Sequence, residues 1–255
     1  MALAVDDVLP KGALTITSTF RSLTAANYRN ALGEPEPVRS LSDHEDQFAE
    51  MRMALGWESR ITMIMESTWR RRTLDLGDGL PKTSGVPGIY MSMKQRITAL
   101  GNGARFISET GVFIPIEADQ ADQLPLGSGG IDWDLIGSYG QDFYPTTGSF
   151  EIDFGYRFRN GLPEDEVLFD TRLKLDLRRL ARAVLSYHVV ESTEDPQEDY
   201  DPLTYPKDRG YQTISLDFER NVGNHWMVGI GYEEVLQARN LYDTSGYRLS
   251  LTWRR

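Results

Sequence analysis

The chain contains no cysteine, and this absence removes several kinds of chemistry at once. Without thiols there are no disulfides, no thiolate nucleophile and no cysteine-based metal site. The absence is compatible with an exported bacterial protein without identifying one. The sequence also has no run of eighteen apolar residues, so it predicts no membrane-spanning helix.

An excess of basic residues is missing as well. Lysine and arginine number 27 against 38 aspartates and glutamates, which leaves a formal net charge of -11. Nucleic-acid binding needs a basic surface, so the balance argues against that partner. At 255 residues the chain is long enough for one large all-β domain or two small ones. Its 23 glycines, 12 prolines and 11% aromatic residues fit many strands joined by turns.

The clearest pattern in the chain lies in residues 246–254. Apolar side chains occupy every second position there, with arginine, serine and threonine between them. A period of two predicts a strand with one apolar and one polar face. The apolar positions are Tyr247, Leu249, Leu251 and Trp253.

The same alternation recurs along nearly the whole chain and predicts twelve strands. It is least regular in the second, fifth and ninth of them. The predicted strands cover residues 13–21, a segment ending at Trp57, 61–69, 89–97, 106–116, 131–139, 150–158, 169–177, 183–190, 211–219, 226–236 and 246–254.

The predicted connections alternate strictly between short and long. Short ones lie at 58–59, 101–103, 145–148, 178–180 and 223–224, and long ones at 22–46, 73–87, 118–129, 160–167, 191–209 and 237–245. Short turns on one side and long loops on the other are typical of outer-membrane barrels. An even number of strands then places both termini on the short-turn, periplasmic side. We expect one domain over residues 1–255, with the first twelve residues flexible.

A lumen enclosed by twelve strands is difficult to fill, because about eight strands already make one just wide enough for side chains. We therefore predict an all-β, twelve-stranded antiparallel up-and-down transmembrane β-barrel whose apolar face meets lipid. The polar face then lines the lumen, where opposite charges on neighbouring strands pair or set selectivity. The predicted lumen residues are Glu151, Asp153, Arg157, Asp170, Arg172, Lys174, Asp176, Lys94, Arg96, Asp132 and Asp134.

Aromatic residues cluster near the predicted strand ends, as the belts at the two membrane interfaces require. The alternative is the ordinary enrichment of aromatic residues in strands. The residues concerned are Trp57, Trp69, Tyr139, Phe143, Tyr144, Trp226, Tyr247 and Trp253.

Three segments resemble the outer-membrane proteins of the phenol meta-cleavage-pathway family. They are Gly-Ser-Gly-Gly-Ile-Asp-Trp-Asp at 127–134, Tyr-Gly-Gln-Asp-Phe-Tyr at 139–144 and Phe-Gly-Tyr-Arg-Phe-Arg-Asn-Gly at 154–161, and the closing strand adds to the resemblance. The likeness covers about residues 88–253. It implies an outer-membrane channel for small organic, often hydrophobic, molecules. Arg254 and Arg255 follow the final aromatic and depart from the usual closing strand.

Candidates for catalysis are few, because the chain has only three histidines. His188 and Ser186 share one face of the ninth strand and suggest a serine–histidine esterase. The local motif of outer-membrane phospholipases is absent, so a polar lumen residue is the simpler interpretation. We expect His44 and His225 to lie on the surface, and we predict no enzyme activity.

Other sites are weaker still. The acidic residues Asp195, Glu198, Asp199 and Asp201 suggest a loose calcium site, but a solvated loop is simpler. The glycine-rich segment 127–130 lacks the following helix of a phosphate loop. Glu151 and Asp153 share a face as a glycosidase pair does, yet charge pairing explains them more simply. We therefore expect neither metal nor cofactor.

Residues 1–4 contain no intact signal peptide. They fit either the remainder of an Ala-x-Ala cleavage site behind an added methionine or a cytoplasmic start. The strand pattern favours the first and predicts a bacterial outer-membrane location. The predicted function is passive passage of small organic molecules through the barrel, with outer-membrane lipid as a partner and acidic loops that favour neutral or cationic solutes. The alternatives are a sealed barrel that binds a partner protein through those loops, and a soluble barrel with an apolar interior.

Overall fold

The computed structural model describes residues 8–30, 32–36, 44–74, 82–100, 103–116, 126, 129–143, 147–160, 164–177, 181–193 and 209–255. Within these ranges no helix is long and apolar enough to cross a membrane.

Fourteen strands make up the described structure, and twelve of them are long. The two short strands, β2 and β5, are extensions that pair with a single neighbour each. In chain order the strands are β1 (Leu14–Arg29), β2 (Pro35–Glu36), β3 (His44–Glu58), β4 (Ile61–Leu74), β5 (Lys82–Gly85), β6 (Gly88–Ala99), β7 (Ala104–Pro115), β8 (Asp132–Asp142), β9 (Gly148–Arg159), β10 (Glu166–Leu177), β11 (Ala181–Ser192), β12 (Gly210–Val222), β13 (Trp226–Arg239) and β14 (Leu241–Arg254).

The twelve long strands form a closed barrel. Each pairs antiparallel with the next long strand, and β14 pairs antiparallel with β1 to close the ring. The closing seam runs from the pair Thr15 and Arg254 to the pair Arg29 and Leu241. The predicted fold class and strand number are therefore confirmed, because each predicted alternating segment coincides with one of these strands to within one residue or lies inside it.

The strands are longer than the sequence pattern predicted. β1 continues to Arg29 and β3 begins at His44, within the loop expected at 22–46. β13 and β14 are separated only by Asn240, which adopts a positive φ of 50° in a tight turn. The prediction of a long loop at 237–245 was wrong, and so was the strict alternation of loop lengths.

The apolar side chains point away from the barrel axis and the ionic ones point inward. On β9, Phe154 and Phe158 are 62% and 48% exposed, whereas Glu151 and Asp153 are 2% and 3% exposed. Leucine, methionine, isoleucine and aromatic side chains cover the outside of the other strands in the same way. Exposed apolar surface this extensive is foreign to a monomer in water and fits contact with lipid.

Aromatic side chains mark the edge of the apolar outer surface at the short-turn end. Trp57, Trp226 and Trp253 lie near the short-turn end, where Trp226 and Trp253 are direct cross-strand partners. At the same end of β7 and β8, the tilted rings of Phe106 and Tyr139 are in contact at a centroid distance of 5.1 Å.

A second aromatic edge lies towards the long-loop end. Trp69, Tyr232 and Tyr247 are exposed there, and beyond them the outward positions become polar at Arg71 and Glu234. From Ile61 to Trp69, β4 spans roughly 26 Å at about 3.3 Å per residue. With the strand tilt of such barrels, this length fits an apolar band close to the usual height of about 25 Å. Of the predicted belt residues, Tyr144 lies outside the described part of the chain.

The segment before β1 lies against the barrel wall at the short-turn end. The Leu9 amide donates to Thr62 Oγ1 at 2.7 Å, and Arg96 donates to the Val8 carbonyl at 3.1 Å. Val8 is buried, and the Pro10 carbonyl approaches Gly56 so closely that no Cβ would fit there. Residues 1–7 of the segment expected to be flexible lie outside the described structure.

Candidate functional site

Two diagonal ion pairs join β9 and β10 on the inward face towards the short-turn end. Arg172 pairs with Asp153, and Lys174 Nζ lies 3.7 Å from Glu151 Oε2. In the register of the two strands, Arg172 lies directly opposite Glu151, so each pair is diagonal. Glu151 and Asp153 thus each contact a cation on the neighbouring strand.

A larger network lies towards the long-loop end of β8, β9 and β10. Arg157 donates twice to the carboxylate of Asp134, at 2.8 and 2.9 Å, and lies 3.2 Å from Glu166. Arg159 also binds Glu166, at 2.7 Å, and its other terminal nitrogen lies 3.9 Å from Asp132. These five charges, joined by Arg209, which also binds Glu166 at 2.7 Å, form a connected ionic network in a region almost without solvent.

Lys94 and Arg96 point inward from β6 and meet different partners. Lys94 Nζ lies 3.3 Å from Glu109 on β7, and Ser92 donates to the same carboxylate at 2.6 Å. Arg96 instead donates to the Val8 carbonyl near the short-turn end.

Tyr90 packs over Gly111 between these pairs. A Cβ on Gly111 would lie 2.1 Å from the Tyr90 hydroxyl oxygen, so the absence of a side chain makes room for the ring. Ile107 and Ile136 are also buried on this side. Together with the ion pairs, these side chains fill the part of the lumen along β6–β9, which we call the packed half.

The two remaining predicted lumen residues lie on β10. Asp170 Oδ1 is 2.8 Å from His188 Nδ1, and the Tyr211 hydroxyl is 3.5 Å from His188 Nε2. Asp176 has the inward parity but is exposed at the short-turn end, where it pairs with Arg182 at 3.0 Å.

An open cavity of about 360 Å³ occupies the other part of the lumen. Its walls come from β1, β3, β4 and β10–β14. His44 and Tyr242 line it near the long-loop end, and Met227 and Arg254 line it near the short-turn end. The cavity therefore extends along most of the height of the barrel wall.

The position of His44, at the long-loop end of this cavity, contradicts one prediction. His44 is buried at 3% exposure and stacks on Tyr242, with a centroid distance of 4.1 Å and an interplanar angle of 7°. The expectation that it lies on the surface was wrong, because β3 starts earlier than predicted and turns His44 inward. Asp46 on the same face binds Arg70 through Nε at 2.9 Å and through a second nitrogen. His225 is exposed, as expected.

A smaller cavity of about 190 Å³ lies beside the first at the long-loop end. Both cavities are lined by Phe48, and the guanidinium carbons of Arg21 and Arg70 lie 4.7 and 5.0 Å from its ring centroid. Arg70 also donates to the Leu126 carbonyl at 2.9 Å, which brings part of the β7–β8 connection to the mouth.

Several cavity residues were missed by the sequence analysis. Arg248 donates to Asp217 through two nitrogens, one at 2.9 Å, and lies 3.8 Å from Glu233. Arg21 bridges Glu50, at 3.3 Å, and the same Glu233. The signal was present, since each of these charges occupies an inward position of an alternating strand. The alternation shows which face a charge occupies, but it does not show which charges on distant strands meet across the lumen.

Among the described residues, no group of three or more histidines, aspartates or glutamates is arranged to hold a metal ion. The acidic residues proposed for calcium lie outside the described structure, as do residues 127 and 128 of the glycine-rich segment. Ser186 and His188 both line the large cavity. His188 contacts Asp170 and Tyr211, as described above.

No family model matches the sequence, and no curated protein matches it. Solved structures do match it. An outer membrane channel from Pseudomonas putida F1 covers 100% of both chains at a TM-score of 0.79 and 10% identity. The chain has the fold of an outer-membrane β-barrel. The NanC porin also matches, in an alignment that covers 93% of this chain and 98% of the porin, at a TM-score of 0.61 and 10% identity.

The translocator domain of the autotransporter NalP from Neisseria meningitidis also matches, over 98% of this chain and 90% of its own, at a TM-score of 0.57 and 12% identity. The fold implied by the resemblance to the phenol meta-cleavage-pathway proteins is thus confirmed. Membership of that family stays a prediction, because the identities are too low to show more than the fold.

Proposed function

We propose that this protein is a narrow passive channel of the bacterial outer membrane that admits small organic molecules. The observation that carries the proposal is the large cavity, which follows the barrel wall from His44 and Tyr242 to Met227 and Arg254. A wall of apolar side chains in lipid around a polar, hollow interior is the construction of a diffusion pore.

The size of the cavity limits what can pass. Its volume of about 360 Å³ is at the lower end of small-molecule sites. The packed half removes much of the cross-section that twelve strands would otherwise enclose. We infer a cut-off at small solutes, with monosaccharide-sized and single-ring molecules entering more readily than oligomers. Two proteins of similar structure, an outer membrane channel and a porin, support this proposal.

The orientation follows from the connections. The long connections that join β3 to β1, β8 to β7 and β12 to β11 lie at the end opposite both termini. Outer-membrane barrels place their short turns and termini in the periplasm. We therefore propose that the long connections are external and the termini periplasmic.

Single-channel recording in planar lipid bilayers tests the proposal. The purified, folded barrel should give stepwise conductance, and vesicles containing it should swell faster in small sugars than in oligosaccharides. Heat-dependent migration in a denaturing gel verifies that the protein is folded. A folded barrel with neither conductance nor swelling contradicts the channel.

The packed half supports a second candidate, a sealed barrel that binds a partner protein. The buried network of Asp134, Arg157 and Glu166 resembles a plug built from side chains. In this case Arg157→Ala combined with Arg172→Ala should create conductance that the unaltered protein lacks. In an open channel the same change should alter only selectivity and conductance level.

A further inference from the structure

The large cavity carries an excess of positive charge, although the protein as a whole is acidic. Among the described residues, ten basic side chains line it, nine arginines and one lysine, against six acidic ones. The formal net charge of the whole chain is -11, so composition alone predicts the opposite sign. The acidic lining residues are Asp46, Glu50, Asp170, Asp217, Glu219 and Glu233.

The excess has a specific structural origin. Four of the basic groups, Arg52, Arg172, Lys174 and Arg209, pair with buried carboxylates that do not line this cavity. Those carboxylates are Glu66, which lines the smaller cavity, and Asp153, Glu151 and Glu166 respectively. Arg182 is shared between the exposed Asp176, outside the lining, and Glu219, within it.

Each of the four pairs therefore presents its cationic end to the cavity. The geometry is different for Arg248 and Asp217, which both line the cavity and compensate each other inside it. Cations therefore lie at the edge of the cavity, and the carboxylates that pair with them lie outside it.

We propose that the channel prefers small organic anions, carboxylates above all, over cations and neutral solutes of the same size. This inference rests on the proposed channel function and names its solute class. Fixed charges in a confined path with low-dielectric walls act strongly on a passing ion, because field lines are focused there. Guanidinium groups also bind carboxylates with matched geometry, which favours these anions over halides of equal charge.

Reversal potentials in a potassium chloride gradient measure the preference. The unaltered channel should show a reversal potential on the chloride side of zero, and benzoate added to one side should carry current. A reversal potential on the potassium side overturns the inference but leaves the channel intact. Absence of conductance contradicts the channel function itself, so the two failures are distinguishable.

A matched pair of variants tests the origin of the preference. D153N/R172Q removes an ion pair whose carboxylate lies behind the wall, and D217N/R248Q removes one whose members both line the cavity. Both variants keep the total charge of the protein, and both exchange one aspartate and one arginine. Only the first lowers the net charge of the lining.

The anion-to-cation permeability ratio should fall about twofold in D153N/R172Q. The variant removes an ion pair whose cationic end lies nearer the water-filled path than its carboxylate. The effect is therefore smaller than that of a single unit charge, which acts over a Debye length of about 10 Å in 0.1 M salt. The ratio should stay within experimental error in D217N/R248Q. Equal changes in both variants, with both folded by gel migration, overturn the proposal.

Discussion

An arginine at Leu249 tests which solvent surrounds the barrel. Leu249 points outward from β14 at 53% exposure, and its cross-strand neighbours are Ile230 on β13 and Phe20 on β1. It lies between the aromatic residues Tyr247 and Trp253 on the same face, which places it inside the apolar band.

The expected cost follows from that position. Arginine on the lipid face of a barrel costs about 2–4 kcal/mol near the midplane and about 0–1 kcal/mol near the interfaces. On a protein surface in water, the same substitution usually changes stability by less than about 0.5 kcal/mol. We therefore expect Leu249→Arg to lower the free energy of unfolding by about 2–4 kcal/mol.

Ser245→Arg is the matched control. Ser245 lies on the same strand and the same face, one outward position beyond Tyr247, and pairs with Glu234 across the ladder. Its substitution should cost about 0–1 kcal/mol, because the side chain reaches the interface. Leu249→Ala separates the loss of the leucine from the gain of the charge.

The measurement is a urea titration of the barrel in phospholipid vesicles, followed by tryptophan fluorescence. If Leu249→Arg and Ser245→Arg agreed within about 0.5 kcal/mol, no lipid-facing band would exist at Leu249. The assignment of the apolar face to the membrane would then fail, and the channel with it.

Three further predictions concern the interior and one turn. Asp134→Ala should lower the free energy of unfolding by about 3–5 kcal/mol in the same titration, because it leaves the buried Arg157 without its bidentate partner. The double variant D134N/R157Q should recover most of this loss. A double variant as unstable as Asp134→Ala would contradict the pairing. Gly111→Ala should lower the free energy of unfolding by about 1–3 kcal/mol, because the new Cβ would collide with the Tyr90 ring. In a Tyr90→Ala background the same Gly111→Ala change should be nearly neutral. Asn240→Gly should lower the free energy of unfolding by about 1 kcal/mol, because it keeps the positive φ but removes the buried acceptor of the Tyr28 hydroxyl. Asn240→Val should cost about 1–2 kcal/mol more, because it also places a β-branched residue at positive φ. Thermal unfolding in detergent measures this ranking, and equal stabilities of the two variants would contradict it.

The strand number and the direction of the faces could be predicted because both depend on local alternation. Phe150, Ile152 and Phe154 against Glu151 and Asp153 fix the parity of β9 without any knowledge of its neighbours. Once twelve such segments are counted, a closed barrel with an apolar exterior is the economical arrangement.

The parts of the strands at the long-loop end could not be predicted from alternation. Beyond the aromatic edge both faces of a strand meet polar surroundings, so Glu45 and Gln47 on β3 read as a loop. The turn at Asn240 lacks a glycine and gave no signal. These omissions hid the inward orientation of His44 and lengthened the predicted loop at 237–245.

The division of the lumen depends on three-dimensional register and is invisible to local patterns. Arg172 could be placed on the inward face from β10 alone, but its pairing with Asp153 requires the stagger between β9 and β10. The net charge of the cavity lining depends on whether the carboxylate of each pair lines the cavity together with its cation. Composition predicted a negative lining, whereas the lining carries more basic than acidic side chains.

The seam between β1 and β14 also determines when the molecule can finish folding. Its contacts join residues almost the whole chain apart, such as Thr17 with Thr252 and Arg29 with Asp243. Contacts of such sequence separation carry a high entropic cost and form slowly. β1 therefore keeps an unpaired edge until β14 pairs with it. During that interval the edge can pair with foreign strands, so slow closure of the seam prolongs the exposure to aggregation.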